Sequence, residues 1–367
     1  MTCFRLLCGT LLFTLAVTAS AQDGRSRNLN IYGSDKNSRS LTVTMTNNSS
    51  ANSILVYDTK THALIQTLST HGLGGVAGNA RGVRQFNNSM VAVVNNGSNT
   101  VSTFVLNSLG TLVLNQTISV ISPPVSIDFA NNHMYVAEAT STESFLMNGN
   151  SVLQRDGRTN LILAGGGPAL AGDTAQIGVV SASQLLVTLK TDPTPGTVDV
   201  IALNSNGAIM STAQPVSAPM GSLTPFGFSV LTDGTALITL AHSNDLGLFR
   251  NGAFISVIKN GSQVAPCWTT KVGKYVMAIN TGSMTISREI STGNNIFIDN
   301  QVAASITTGG NPTDSDANGG YQVVLDHTTS DSHLSFFTVN KFGELTADQS
   351  PVSLGVSNPN GVAILVP

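Results

Sequence analysis

Asp314, Asp316, Asn318 and Gly319 stand in the order D-x-D-x-N-G within "DSDANG". Carboxylates and an amide at alternate positions are the oxygen donors that a hard cation such as Ca2+ takes, with glycine for the turn. The twelfth position of such a loop, where a bidentate acid belongs, is Leu325, and Asp326 comes one place late. Asp314, Asp316 and Asn318 are thus an incomplete Ca2+ candidate, and no other cofactor is expected. Residues suited to acid–base work are sparse. Glu138 and His242 are the candidate bases, Arg81 and Lys190 offer charge to an anionic substrate, and Trp268, the sole tryptophan, offers a stacking face. Asn280, Asp326 and His327 complete the candidate binding residues. A base to activate water and donors to hold a developing oxyanion are what hydrolysis of an ester or lactone needs. Each residue also has a plainer reading: a solvated strand end for Glu138, Lys190 and Asp326, packing for Trp268, and a small buried hydrophobe for Cys267.

Other motifs fail on context. "GLGGVAG" (72–78) imitates a dinucleotide loop but precedes a strand rather than a helix, and "AGGGP" (164–168) lacks the Lys-Ser/Thr of a phosphate loop. There is no G-x-S-x-G, H-E-x-x-H or C-x-x-C.

Residues so scattered need a scaffold to gather them, and a repeat supplies it. "NTVSTFVLNSLGTLVL" (99–114) reads as a strand, an Asn-x-x-Gly turn and a return strand. The pattern recurs with turn asparagines at Asn204 and Asn340, and weaker copies at 52–66, 141–155, 245–258 and 283–298 bring the hairpins to seven. Before each hairpin lies a further strand, as in "FNNSMVAVVN" (86–95) and "FANNHMYVAE" (129–138). Before that comes a short segment, often opened by proline: 79–83, 123–127, 174–178, 224–228, 265–269, 311–315 and 358–362. Four strands, a to d, repeating every 45–49 residues or so, match the blade of a propeller. The C-terminal "GVAILVP" supplies the strand a that the N-terminal unit (41–68) lacks. The expected fold is therefore all-β, a seven-bladed β-propeller over 41–367, its ring closed by the C-terminal strand joining the N-terminal blade. Two stacked sandwiches would also show short strands, but would not explain that lone last strand.

"VAVVNNGSNTVSTFVLNSLGTLVLNQ" (91–116) resembles a blade of the lactonase-type seven-bladed propellers, grouped with 6-phosphogluconolactonase and carboxymuconate cyclase and similar to surface-layer propellers with "YVTN" repeats. "HMYVAEATS" (133–141) is a fainter copy, and the resemblance spans roughly 40–367. It implies hydrolysis or cyclisation of a small lactone or carboxylated compound at the axial face, where d–a connections and b–c loops converge. The residues equally allow a non-catalytic binding or scaffold propeller that engages a protein or polysaccharide. Arg81 and Arg84 flank a channel strand, and alternation would aim only one of them inward.

Residues 1–21 read as a signal peptide. One arginine precedes an apolar run, which ends at Ala19-Ser20-Ala21. A polar segment, 22–40, follows. Cleavage would remove Arg5, taking the formal charge from −3 to −4, and leave Cys267 as the one thiol, so no internal disulfide is expected. With only 10% charged residues and no basic patch, nucleic acid is not an expected partner. The mature chain reads as a secreted or periplasmic monomer without a membrane span.

Overall fold

The computed structural model describes residues 39–191 and 195–367. The expected signal peptide and nearly all of segment 22–40 lie outside the described residues. Seven antiparallel sheets account for the rest, each of four strands, in sequence order in all but the one that the last strand joins, and one with a short fifth strand added. Blade 1 runs Val83–Phe86, Met90–Asn95, Thr100–Leu106 and Leu112–Ser119. Blades 2 to 6 follow, with inner strands at Pro124–Ala130, Thr174–Ser181, Pro225–Val230, Pro266–Val272 and Asn311–Asn318. In blade 7 the last strand, Asn360–Leu365, pairs with Leu41–Met45, Leu365 opposite Leu41 and Ala363 opposite Val43. The seven-bladed propeller and its closure are as expected. No helix among the described residues is long and apolar enough to cross a membrane.

The turns carry the local logic. In the Asn107, Asn204 and Asn340 turns, the asparagine carbonyl accepts the N–H of the glycine three places on, Gly110, Gly207 or Gly343. The side-chain Oδ1 accepts two further N–H groups, from Leu109 and Thr111 in the first case, Asn206 and Ala208 in the second, and Phe342 and Glu344 in the third. An asparagine that satisfies its own turn this way fixes the c–d hairpin locally.

Packing runs between blades. The b strands are apolar on both faces because each face meets a neighbouring blade, and Met90–Asn95 is buried throughout. Outer d strands such as Leu112–Ser119 are mostly exposed.

Each inner strand has an open edge facing the axis, and unpaired backbone groups there would be costly. Side chains of the preceding blade satisfy them. Ser126 and Asp128 of blade 2 accept from Ile177 and Val179 of blade 3. Gln176 of blade 3 both accepts from the Phe228 N–H (2.9 Å) and donates to its carbonyl (2.8 Å) in blade 4. Hydroxyl pairs link Ser229 to Thr269 and Thr270 to Ser315, and Asp316 accepts from Ile364 of blade 7. Four of these strands open on proline or a bulge next to it: Pro124, Pro225, Pro266 and Pro312. A residue with no N–H to pair is best placed at such an edge.

Candidate functional site

The segment before blade 1 departs from the expected pattern. Residues 79–82 precede the inner strand, which starts only at Val83. They cross the mouth of the axial channel on the face of the d–a connections, and their hydrogen bonds reach all six other blades. Asn79 Nδ2 donates to the Val125 carbonyl of blade 2 at 2.6 Å, and Ala80 N–H to the Ala175 carbonyl of blade 3 at 3.0 Å. Arg81 Nη2 donates to the Phe228 carbonyl of blade 4, and Trp268 Nε1 of blade 5 donates to the Asn79 carbonyl. Arg81 N–H donates to Asp314 of blade 6, and Asn360 of blade 7 donates to Asn79 Oδ1. Ala80 sits among Ala175, Phe226, Ala241 and Trp268 in the apolar core of this end of the ring. Glycines let the chain make the crossing. A Cβ on Gly74 would lie 2.2 Å from the Asn47 backbone, and Gly78 holds φ at +59°. The "GLGGVAG" run thus serves this crossing.

Three sequence candidates converge, on the chain itself rather than on a cavity. Lys190 Nζ is bonded to the Gly78 carbonyl and stands 5.6 Å from the centre of the Phe226 ring. Burial pulls its ammonium down to about 8. Trp268 is buried, edge-on to Phe226 at 5.3 Å, which is the packing reading. Arg81 takes φ +60°, and because it stands outside the strand, alternation does not govern it. Both Arg81 and Arg84 reach Asp128 Oδ1, at 3.7 and 3.1 Å, where only one had been expected to point inward.

Glu138, Asn280 and Asp326 occupy equivalent corners, at the ends of b strands, and none has exposed surface. Glu138 accepts from the Ile121 and Ser122 N–H groups and from the Ser141 hydroxyl. Asn280 donates to Thr285 and Ser287 and accepts from Asn260. Asn95 does likewise in blade 1, donating to Thr100 and Ser102 and accepting from Asn52. Asp326 accepts from Thr308 at 2.8 Å and lies 3.4 Å from His333 Nδ1, and burial raises its pKa. These side chains pin the b–c corner to the connection that precedes it; they turn into the blade, where the sequence placed them at a solvent-facing strand exit. His242 is exposed in the b–c turn of blade 4, a full blade away from Glu138 of blade 2. His327 lines a hollow of about 370 Å³ with Gly309, Asn311, Thr328 and Thr329.

The D-x-D-x-N-G stretch is strand, not loop: Asn311–Asn318 is extended. Asp314 accepts from the Ser315 and Arg81 N–H groups, and Asp316 from Ile364. Asn318 donates to Asn88 and to the Ile364 carbonyl. An extended strand cannot wrap three oxygens around one cation, and among the described residues no cluster of His, Cys, Asp or Glu has the geometry for a metal. Burial pushes the Cys267 thiol up to about 11.

Of the residues that build the channel, the sequence places Gln176 and Asn360 at inner-strand starts without a role, and it misses Asn79 and Asp128. It also missed the buried acids Glu143, Asp199 and Glu289, which burial raises to about 7, 7 and 8.

The fold therefore defines the class: a seven-bladed propeller whose axis is closed at one mouth. No protein-family profile and no curated protein matches the sequence. Solved structures do resemble it. A Bacteroides fragilis protein provisionally assigned as a 6-phosphogluconolactonase is 15% identical, covering 90% of this chain and 99% of its own, with a TM-score of 0.62. A Desulfotomaculum acetoxidans protein of unknown function is 13% identical over 90% of this chain and 100% of its own, at 0.64. A streptogramin B lyase is 13% identical over 80% and 93%, at 0.56. At these identities the likeness is one of fold alone, the seven-bladed propeller.

Proposed function

We propose that this chain is an exported, non-catalytic binding propeller that engages a protein partner through the face of its d–a and b–c connections. The observation that carries this reading is the crossing of the axial mouth by residues 79–82, which takes up Arg81, Lys190 and Trp268. The face around that closed mouth suits adhesion better than catalysis. Leu73, Ile121, Leu170, Met220, Val264 and Met284 stand exposed on its loops, spread over five successive blade junctions. The described connections of this face hold four charged residues, Arg81, Asp173, Lys190 and Asp331, and none is fully exposed. Exposed aliphatic groups without charge favour a protein partner. A polysaccharide would be met with exposed aromatic rings, and the tryptophan is buried.

Lactone hydrolysis is the second reading, favoured by the likeness of fold. It would require the 79–82 crossing to withdraw and Glu138 to leave its corner. The test is acid release by the mature chain (22–367) on sugar, aliphatic and muconate-type lactones, with and without chelator. The binding reading expects no release above buffer. Turnover that is lost in Glu138→Gln or His242→Ala would overturn it.

A further inference from the structure

Closing one mouth turns the axial channel into a blind pit, open only on the face of the a–b turns. We propose that this pit is a binding site for a small oxyanion, a carboxylate or a phosphate-like group, held by the free Nη fork of Arg84 with the charge of Arg81 beneath it. This inference is independent of the binding face argued above.

Arg84 carries the argument. Its Nε donates to Asp128 Oδ1 at 3.1 Å, and its two Nη groups make no hydrogen bond among the described residues. Its side chain is 28% exposed although it stands on an inner strand, and that of Arg81 is 17% exposed, so solvent reaches both. A guanidinium with free Nη groups presents the fork that oxyanions take in bidentate fashion. Arg81 forms the floor, with Nη2 on the Phe228 carbonyl and Nη1 3.7 Å from the same Asp128 oxygen. Two guanidinium groups thus share one carboxylate oxygen, and burial, with their mutual repulsion second, draws Arg81 down to about 10. Asp128 already stands between them, so a further oxyanion would meet Arg84 on its Nη side.

Lys271 stands on the adjoining inner strand of blade 5, and Asp314 and Asp316 of blade 6 also act on both guanidinium groups. Each already spends an oxygen on backbone, Asp314 on the Arg81 N–H and Asp316 on the Ile364 N–H. Burial raises both, Asp314 to about 7. Below neutrality Asp314 is therefore partly protonated, and the competing negative charge it carries at higher pH is reduced. Anion binding should accordingly tighten as pH falls, because protonation of Asp314 removes a competing negative charge.

The test is isothermal titration of the folded chain with sulfate and with acetate, at pH 6 and pH 8, at ionic strength held constant with sodium chloride. One saturable site is expected, at least fivefold tighter at pH 6 than at pH 8 and abolished in Arg84→Gln. The control Lys341→Gln, altered in an exposed c–d turn, should bind like the native chain. Should Arg84→Gln fail to fold, Arg84→Lys keeps the charge beside Asp128 and loses the fork, and should weaken binding several-fold. Absence of saturable heat with either anion, binding unchanged in the Arg84 variants, or affinity that does not fall with rising pH would each overturn the proposal.

Discussion

Glu289 offers the cleanest quantitative test of how these blades pack. It lies on strand c of blade 5 with no exposed surface. One carboxyl oxygen accepts the Ala278 N–H at 3.2 Å, and the other has no partner. Burial raises its pKa from 4.5 to about 8. A group whose folded pKa lies above its unfolded value contributes stability that is complete below the unfolded pKa. That stability is lost as pH rises toward the folded pKa. Between pH 5 and pH 8 the native chain should therefore lose stability, by up to about 4 kcal/mol from this residue alone at 1.36 kcal/mol per pH unit. Glu143 and Asp199, each raised to about 7, push in the same direction. Replacing Glu289 by Gln keeps an acceptor for Ala278 and removes the titration. Urea unfolding at pH 5, 6, 7 and 8 should show Glu289→Gln close to native at pH 5 and several kcal/mol more stable at pH 8. Equal pH slopes in the two proteins would refute the account of a neutral acid at this position.

Two further outcomes follow from the same packing. Asn79→Ala strips the partners from the Val125 carbonyl and from Asn360 Nδ2, and urea unfolding should show a loss of roughly 2–4 kcal/mol for those buried groups; a loss under 0.5 kcal/mol would mean that the crossing is not anchored there. Cys267, half-buried with its thiol raised to about 11, should react with Ellman's reagent at least tenfold more slowly in the native state than in urea, and a native rate like that of a free thiol would contradict the raised pKa.

Local chemistry made the turns and the ring closure readable. An asparagine that bonds its own turn, as Asn107, Asn204 and Asn340 do, announces a hairpin wherever it occurs. The lone C-terminal strand had one place to go. The crossing at 79–82 was not readable. The connection 161–173 is just as long and as rich in glycine, yet it stays at its own junction, where Ile162 and Ala164 bond Asp199 and Thr197. Only partners far along the chain, Trp268 and Asn360 among them, tell the two apart. The corner residues do leave a trace in the sequence. "NNGSNTVS" (95–102) and "NTGSMTIS" (280–287) repeat an asparagine and a serine seven apart, and these are the pair that bonds in each corner. That internal repetition marked Asn280 as part of the scaffold rather than of a binding surface.

The central claim is that residues 79–82 hold the axial mouth shut. Hydrogen exchange at the Ala80 and Arg81 amides tests it most directly, because those N–H groups are bonded to the Ala175 carbonyl and to Asp314. A firmly seated crossing should protect both amides to within about tenfold of the amides in strand Met90–Asn95. Exchange at the rate of an open surface loop, complete within seconds, would show that the mouth opens freely and would return the axial face to the list of possible active sites.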